Sequence, residues 1–211
     1  MLGAALFLAG AMAPVTMSKA EARALVQRYP PWALREGRSS AVRIEAIVEP
    51  DGKMRDCKVV ASEGSERLAA EECAALARRR LRPATDPEGR PVVGLYRTNV
   101  YRLVNPGRSE SVAVRNWQPP ANLTLPAGEA SGARRRDADI SFALFVGGDG
   151  SVTACEIVAA REERAEVSQE MMDAACREAI KLPMPTLTTV DGRPTTYVAN
   201  ITVRFEANPA E

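Results

Sequence analysis

Four cysteines and no histidine define the chemistry open to these 211 residues. Histidine is the commonest general base and the commonest metal ligand, so its absence removes the usual centre of an acid-base or metal site. Cys57, Cys73, Cys155 and Cys176 stand too far apart in the chain to form a C-x-x-C pair. A tetrahedral zinc site and a dithiol redox centre both lack their close spacing. Glu45 and Glu49 share one face of an alternating run and read as solvated strand charges. No nucleophile beside a base and no phosphate-cradling glycine loop is visible. The expectation is therefore no catalytic residue, no metal and no cofactor: a chain that is not an enzyme. The cysteines then serve as disulfides or as reduced core residues, and the organisation of the chain bears on which.

That organisation is a repeat. Adding 98 to each number from Val42 to Ala61 lays Val42, Ile44, Ala46 and Val48 on Ile140, Phe142, Leu144 and Val146. The same step lays Asp51-Gly52 on Asp149-Gly150 and Cys57 on Cys155. A five-residue insertion raises the offset to 103, which brings Cys73 to Cys176 and Gly89-Arg90-Pro91 to Gly192-Arg193-Pro194. Each copy opens with apolar residues at every second position, the period of a half-buried strand. An Asp-Gly turn, favoured in hairpins because glycine accepts positive φ, leads into a second such run. Ser65 to Arg80 and Val167 to Lys181 follow as helices, the first with Ser65 as N-cap. Val92 to Val104 and Thr195 to Phe205 supply a third strand. The fold class is α+β, in two tandem ββαβ units.

Each unit carries one cysteine on its second strand and one on its helix. With the helix packed on the sheet face that holds Cys57, the pairs are Cys57 with Cys73 and Cys155 with Cys176. Small units gain most from such staples, because their cores are marginal. Disulfides imply an oxidising compartment; reduced core cysteines in a cytosolic chain are the competing reading.

The 28 basic and 27 acidic side chains balance, which argues against a nucleic-acid partner. The uncharged start MLGAALFLAGAMAPVTM is shorter than a membrane span and reads as a secretory signal, with small-x-small sites at Ala9-Gly10-Ala11 and Ala11-Met12-Ala13. A buried N-terminal helix and a short membrane anchor compete with that reading. Asn105 to Asp137, rich in proline and glycine, reads as linker and lead-in.

Several features in series resemble the C-terminal domain of the TonB energy-transducer family. They are Gln27 and Tyr29-Pro30, the alternating strand, the Asp51-Gly52 turn, Ser62 to Gly64 before an alanine-rich helix, Leu81-Arg82-Pro83, and Gly89-Arg90-Pro91 before the last strand. The first unit matches well; the second lacks the Tyr-Pro start and looks like a diverged copy. The resemblance implies a three-stranded antiparallel sheet with one helix on a face in each unit. The segments are then a signal-like 1–18, a first domain at 19–106, a linker at 107–136 and a second domain at 137–211. It also implies a periplasmic protein-binding module that engages envelope or outer-membrane transport partners by pairing an exposed strand with an extended segment. The contacts this implies are the last strands, Leu95 to Leu103 and Tyr197 to Phe205, with Gln27, Tyr29 and Pro30; Leu95, Arg97, Asn99, Val100 and Tyr101 are the strand residues singled out. The membrane is touched only through the N-terminal segment if it stays uncleaved. A force transducer also needs an anchor and a long spacer. Only about twenty residues separate the apolar start from the first expected strand at Ala41, so a true transducer with its anchor upstream of this start is the alternative function. For the site, the alternative is that Tyr29-Pro30 merely begins a short helix and the strand edges are capped from within the chain.

Overall fold

Val42, Ile44, Ala46 and Val48 are buried to 1 % exposure or less, so the alternating run does form a core-facing strand. In the computed structural model, residues 12–105, 107–126, 138–160 and 169–206 are described. The first part of the chain forms α1 (Lys19–Gln27), α2 (Pro31–Glu36), β1 (Ser40–Val48), β2 (Met54–Gly64), α3 (Glu66–Ala77), β3 (Ala84–Thr85) and β4 (Pro91–Arg102). There follow α4 (Ser109–Asn116), β5 (Leu123–Pro126), β6 (Ala138–Val146), β7 (Val152–Ala160), α5 (Gln169–Ala179), β8 (Leu187–Thr188), β9 (Pro194–Thr195) and β10 (Tyr197–Glu206). Gly52 and Gly150 take φ of 81° and 86° in the two Asp-Gly turns, which favours glycine there. The Ser65 hydroxyl accepts from the Leu68 amide and caps α3. Two disulfides join Cys57 to Cys73 and Cys155 to Cys176, with Cα separations of 5.7 and 5.8 Å.

The two expected three-stranded sheets are not separate. The strands run in the order β2-β1-β4-β10-β6-β7, with β3 added on β4 and β5 on β10, and a small β8–β9 ribbon stands apart. The fold is thus α+β on one mixed sheet. The junction is parallel: Val93, Gly94 and Leu95 lie opposite Tyr197, Val198 and Ala199. A strand end with unpaired amides and carbonyls is costly unless covered. Here β4 and β10 cover part of one another.

The helices lie on opposite faces of this sheet. Tyr197, Ala199, Ile201, Val203 and Phe205 join Met171, Ala175 and Ala179 of α5 in one core. Val198, on the other face of β10, joins Val42, Ile44 and Val100 beneath Ala69 and Leu76 of α3.

The expected linker is more structured than its prolines suggest, since α4 and β5 fall within it. At the start of the chain, residues 1–11 of the signal-like segment lie outside the described residues. The residues just after them belong to the domain. Ala13 pairs with Thr85 and Thr16 with Arg82 through backbone hydrogen bonds of 2.9 to 3.2 Å. Met12 and Val15 are 5 % exposed within the α3-side core. Gly94 makes room for Val15, because a Cβ there would come within 2.2 Å of the valine Cγ2. Val15→Ala is expected to cost about 1.5 kcal/mol of stability, the usual scale for a small buried truncation. Urea unfolding would show it; an unchanged midpoint would mean that this segment does not pack.

Candidate functional site

The partner-contact residues expected from the sequence are spread along β4 and the α1–α2 turn. Leu95 is 3 % exposed and sits opposite Ala199 of β10, so it is not an open edge position. The next residue on that side, Arg97, is also covered. Its amide donates to the Asn200 Oδ1 and its carbonyl accepts from the Asn200 Nδ2, both at 2.8 Å. The Asn200 side chain thereby stands in for one more strand residue and ends the β4–β10 pairing. The edge expected from Leu95 to Leu103 is therefore capped from within the chain over its first half, and the one expected from Tyr197 to Phe205 is paired by β6 on one side and by β4 and β5 on the other.

Beyond Arg97 the strand pairing on this side stops among the described residues. Backbone groups alternate with a period of two, so the Asn99 amide and carbonyl point to the same side as those of Arg97. Asn99 is exposed; it pairs with Arg43 of β1, and on the other side β4 has no strand partner there among the described residues. Val100 turns inward to the α3-side core. The Tyr101 ring meets Trp117 edge to face, with centroids 6.1 Å apart.

Arg102, the last residue of β4, gathers the rest of the site. Its Nε and Nη2 donate to the two carboxylate oxygens of Glu72 on α3, and both side chains are 2 % exposed. Its Nη1 donates to the Arg28 carbonyl at 3.2 Å, and its guanidinium carbon lies 5.8 Å from the Tyr29 ring centroid. Tyr29 is half-buried and donates its hydroxyl to the Arg38 carbonyl. Burial pushes that hydroxyl's pKa up, against smaller lowering effects from Ser39 and Arg102. Pro30 precedes Pro31, which starts α2, so the Tyr-Pro pair does open a short helix. Gln27 is exposed at the end of α1. The structure thus groups Tyr29 and Pro30 with the end of β4 through Arg102, and leaves Leu95 and Arg97 on the covered half.

Two neighbouring features complete the surroundings. On the sheet face away from α3, Glu45 receives Lys58 at 2.7 Å and Arg97 at 2.8 Å. Burial raises the Glu45 pKa, but the hydrogen bond from Lys58 and the Arg97 charge outweigh it and hold the carboxyl below its usual range. A groove of about 350 Å³ runs between α1 and α3, walled by Arg28, Pro30, Arg78, Arg79 and Arg102 with Glu71 and Glu72. No cluster of potential metal ligands and no helix long and apolar enough to cross a membrane occurs among the described residues.

Sequence reasoning missed Glu72, Arg102 and Asn200. Glu72 had a signal: it lies four residues from both Leu68 and Leu76 on one buried stripe. A carboxylate in the middle of such a stripe needs an internal partner. Asn200 had none, because its role depends on a strand a hundred residues away.

Residues 26–101 match the family described as Gram-negative bacterial TonB protein C-terminal. The matched stretch runs from the end of α1 to Tyr101 of β4 and includes Tyr29, Pro30, the Cys57–Cys73 staple and Asn99. The second unit lies outside it. No curated protein and no solved structure matches the chain.

Proposed function

We propose that this chain is a periplasmic protein-binding module whose first unit pairs an extended segment of an envelope partner with β4 beyond Arg97. The observation that carries it is the exposed β4 position Asn99, on the same strand as Arg102, which lies over the Tyr29 ring, within a stretch that matches a TonB C-terminal domain. Physically the step is strand addition: main-chain amides and carbonyls supply affinity, and side chains at alternate positions supply selectivity. An outer-membrane transport receptor is the partner class that the match suggests.

The second unit is, in this reading, a diverged copy of the first that has taken over half of its edge. Strand register supports the duplication. Ser40 lies opposite Arg102 in the β1–β4 pair, and Ala138 lies opposite Phe205 in the β6–β10 pair. Adding 98 to the first residue and 103 to the second converts one pair into the other. Val60 and Val158, 98 apart, are each the extra residue at a register shift and are 46 % and 40 % exposed.

The test is a proline at Asn99. That amide faces the open edge, so Asn99→Pro leaves the β1–β4 ladder intact, whereas a proline at Val100 would remove a bond to β1. A photo-crosslinking residue placed at Gln27 should capture one envelope protein in intact cells. The same residue at Asp173, on α5, should not. Asn99→Pro should reduce the Gln27 adduct about tenfold or more with stability kept, given that several main-chain bonds are lost. Adducts that survive the proline unchanged would sink the reading.

A further inference from the structure

We propose that the groove between α1 and α3 receives an acidic stretch of the partner chain, an inference that rests on the edge-pairing reading above. The carboxylates in its wall are engaged: Glu72 is held by Arg102, and Glu71 accepts from the Trp32 indole at 3.0 Å. Three of the four wall arginines have no carboxylate partner among the described residues. Arg28 and Arg78 are exposed and form no ion pair among the described residues. Arg79 uses its Nη2 on the Ala24 carbonyl at 3.1 Å, and its buried Nε has no hydrogen-bond partner.

The C-terminal end of α3 favours positive charge nearby, but it amounts to roughly half an elementary charge. Three guanidiniums exceed it. Leu25, Ala74 and Ala75 supply a wall of modest side chains that leaves space for a backbone between the arginines. The groove adjoins the end of the proposed strand, since Arg102 is the last residue of β4 and lines the groove. A segment paired along Asn99 and continuing past Arg102 therefore runs into these cations. Carboxylates on that segment would find bidentate guanidinium partners without displacing an existing pair.

The probes are two fluorescent hexapeptides of alternating valine and glutamate, or valine and glutamine, titrated into the intact, disulfide-bonded chain. The glutamate peptide should bind about tenfold more tightly at low salt, and the difference should shrink as salt is added. Arg28→Gln with Arg78→Gln should abolish that difference without changing the melting temperature, as neither side chain holds an ion pair among the described residues. Asn99→Pro should weaken both peptides alike. Equal affinity for the two peptides, with the proline still effective, overturns the groove assignment and leaves edge pairing standing. A proline without effect overturns edge pairing. No binding of either peptide overturns the proposal, and so does inorganic phosphate that competes as well as the glutamate peptide, which would instead mark a phosphate site.

Discussion

Replacing Glu72 with alanine is expected to lower the unfolding free energy by about 3 to 5 kcal/mol, because it strands a buried guanidinium. Both partners are 2 % exposed, so neither charge is compensated by solvent. Arg102 would keep its bond to the Arg28 carbonyl but lose both carboxylate oxygens. The pair itself contributes much less than that figure. Desolvating two ions offsets most of their attraction, so Glu72→Leu with Arg102→Met is expected to fall within about 1 kcal/mol of the parent. Urea unfolding followed by the fluorescence of Trp32 and Trp117 separates the cases. A single substitution costing under about 1 kcal/mol would mean that water reaches the pair. Because Arg102 also lies over Tyr29, the double variant should disturb partner capture even where stability is kept. The pair would then serve chiefly to hold the Tyr29-Pro30 turn at the end of β4.

Local periodicity made much of the first unit legible. Val42 to Val48 alternate, Asp51-Gly52 turns, and Ser65 caps a helix that ends at Ala77, before the arginine run, with no tertiary information needed. The cysteine pairs were legible only through the repeat, which put one sulfur on a strand and one on a helix twice over. What escaped depends on partners far away in sequence. α4 is eight residues long among prolines, too short to hold alone. It is fixed by Glu110 accepting from the Ser39 amide and by Ser111 bonding to the Val104 carbonyl and Ser39 hydroxyl.

The merged sheet did leave a trace. Alternation fails at Val92-Val93-Gly94-Leu95-Tyr96 and again at Tyr197-Val198-Ala199. Continuous apolar runs mark strands buried on both faces, as parallel neighbours at the centre of a sheet are. These runs are where β4 and β10 meet. The same contact explains why half of the anticipated edge is missing: the chain satisfies it internally as far as the Asn200 side chain on Arg97.

Reducing both disulfides is expected to cost about 6 kcal/mol, the largest effect anticipated here. Each closes a short loop, 16 and 21 residues apart, and each alone is worth about 3 kcal/mol by loop-closure entropy. The difference in loop length changes that by only about 0.2 kcal/mol, so the two single losses should be nearly equal. They should also add. Cys57 and Cys73 flank the α3-side core, whereas Cys155 and Cys176 flank the α5-side core on the opposite face. Contributions from sites without shared partners usually sum to within about 0.5 kcal/mol. Marginal stability for a domain is about 5 to 15 kcal/mol, so the doubly reduced chain would lose a large share of it. The measurement compares urea midpoints of the oxidised protein, Cys57→Ser with Cys73→Ser, Cys155→Ser with Cys176→Ser, and all four together. A four-fold variant as stable as the parent would remove the argument from cysteine to compartment. With the expected loss, the fold keeps its full stability only where disulfides persist.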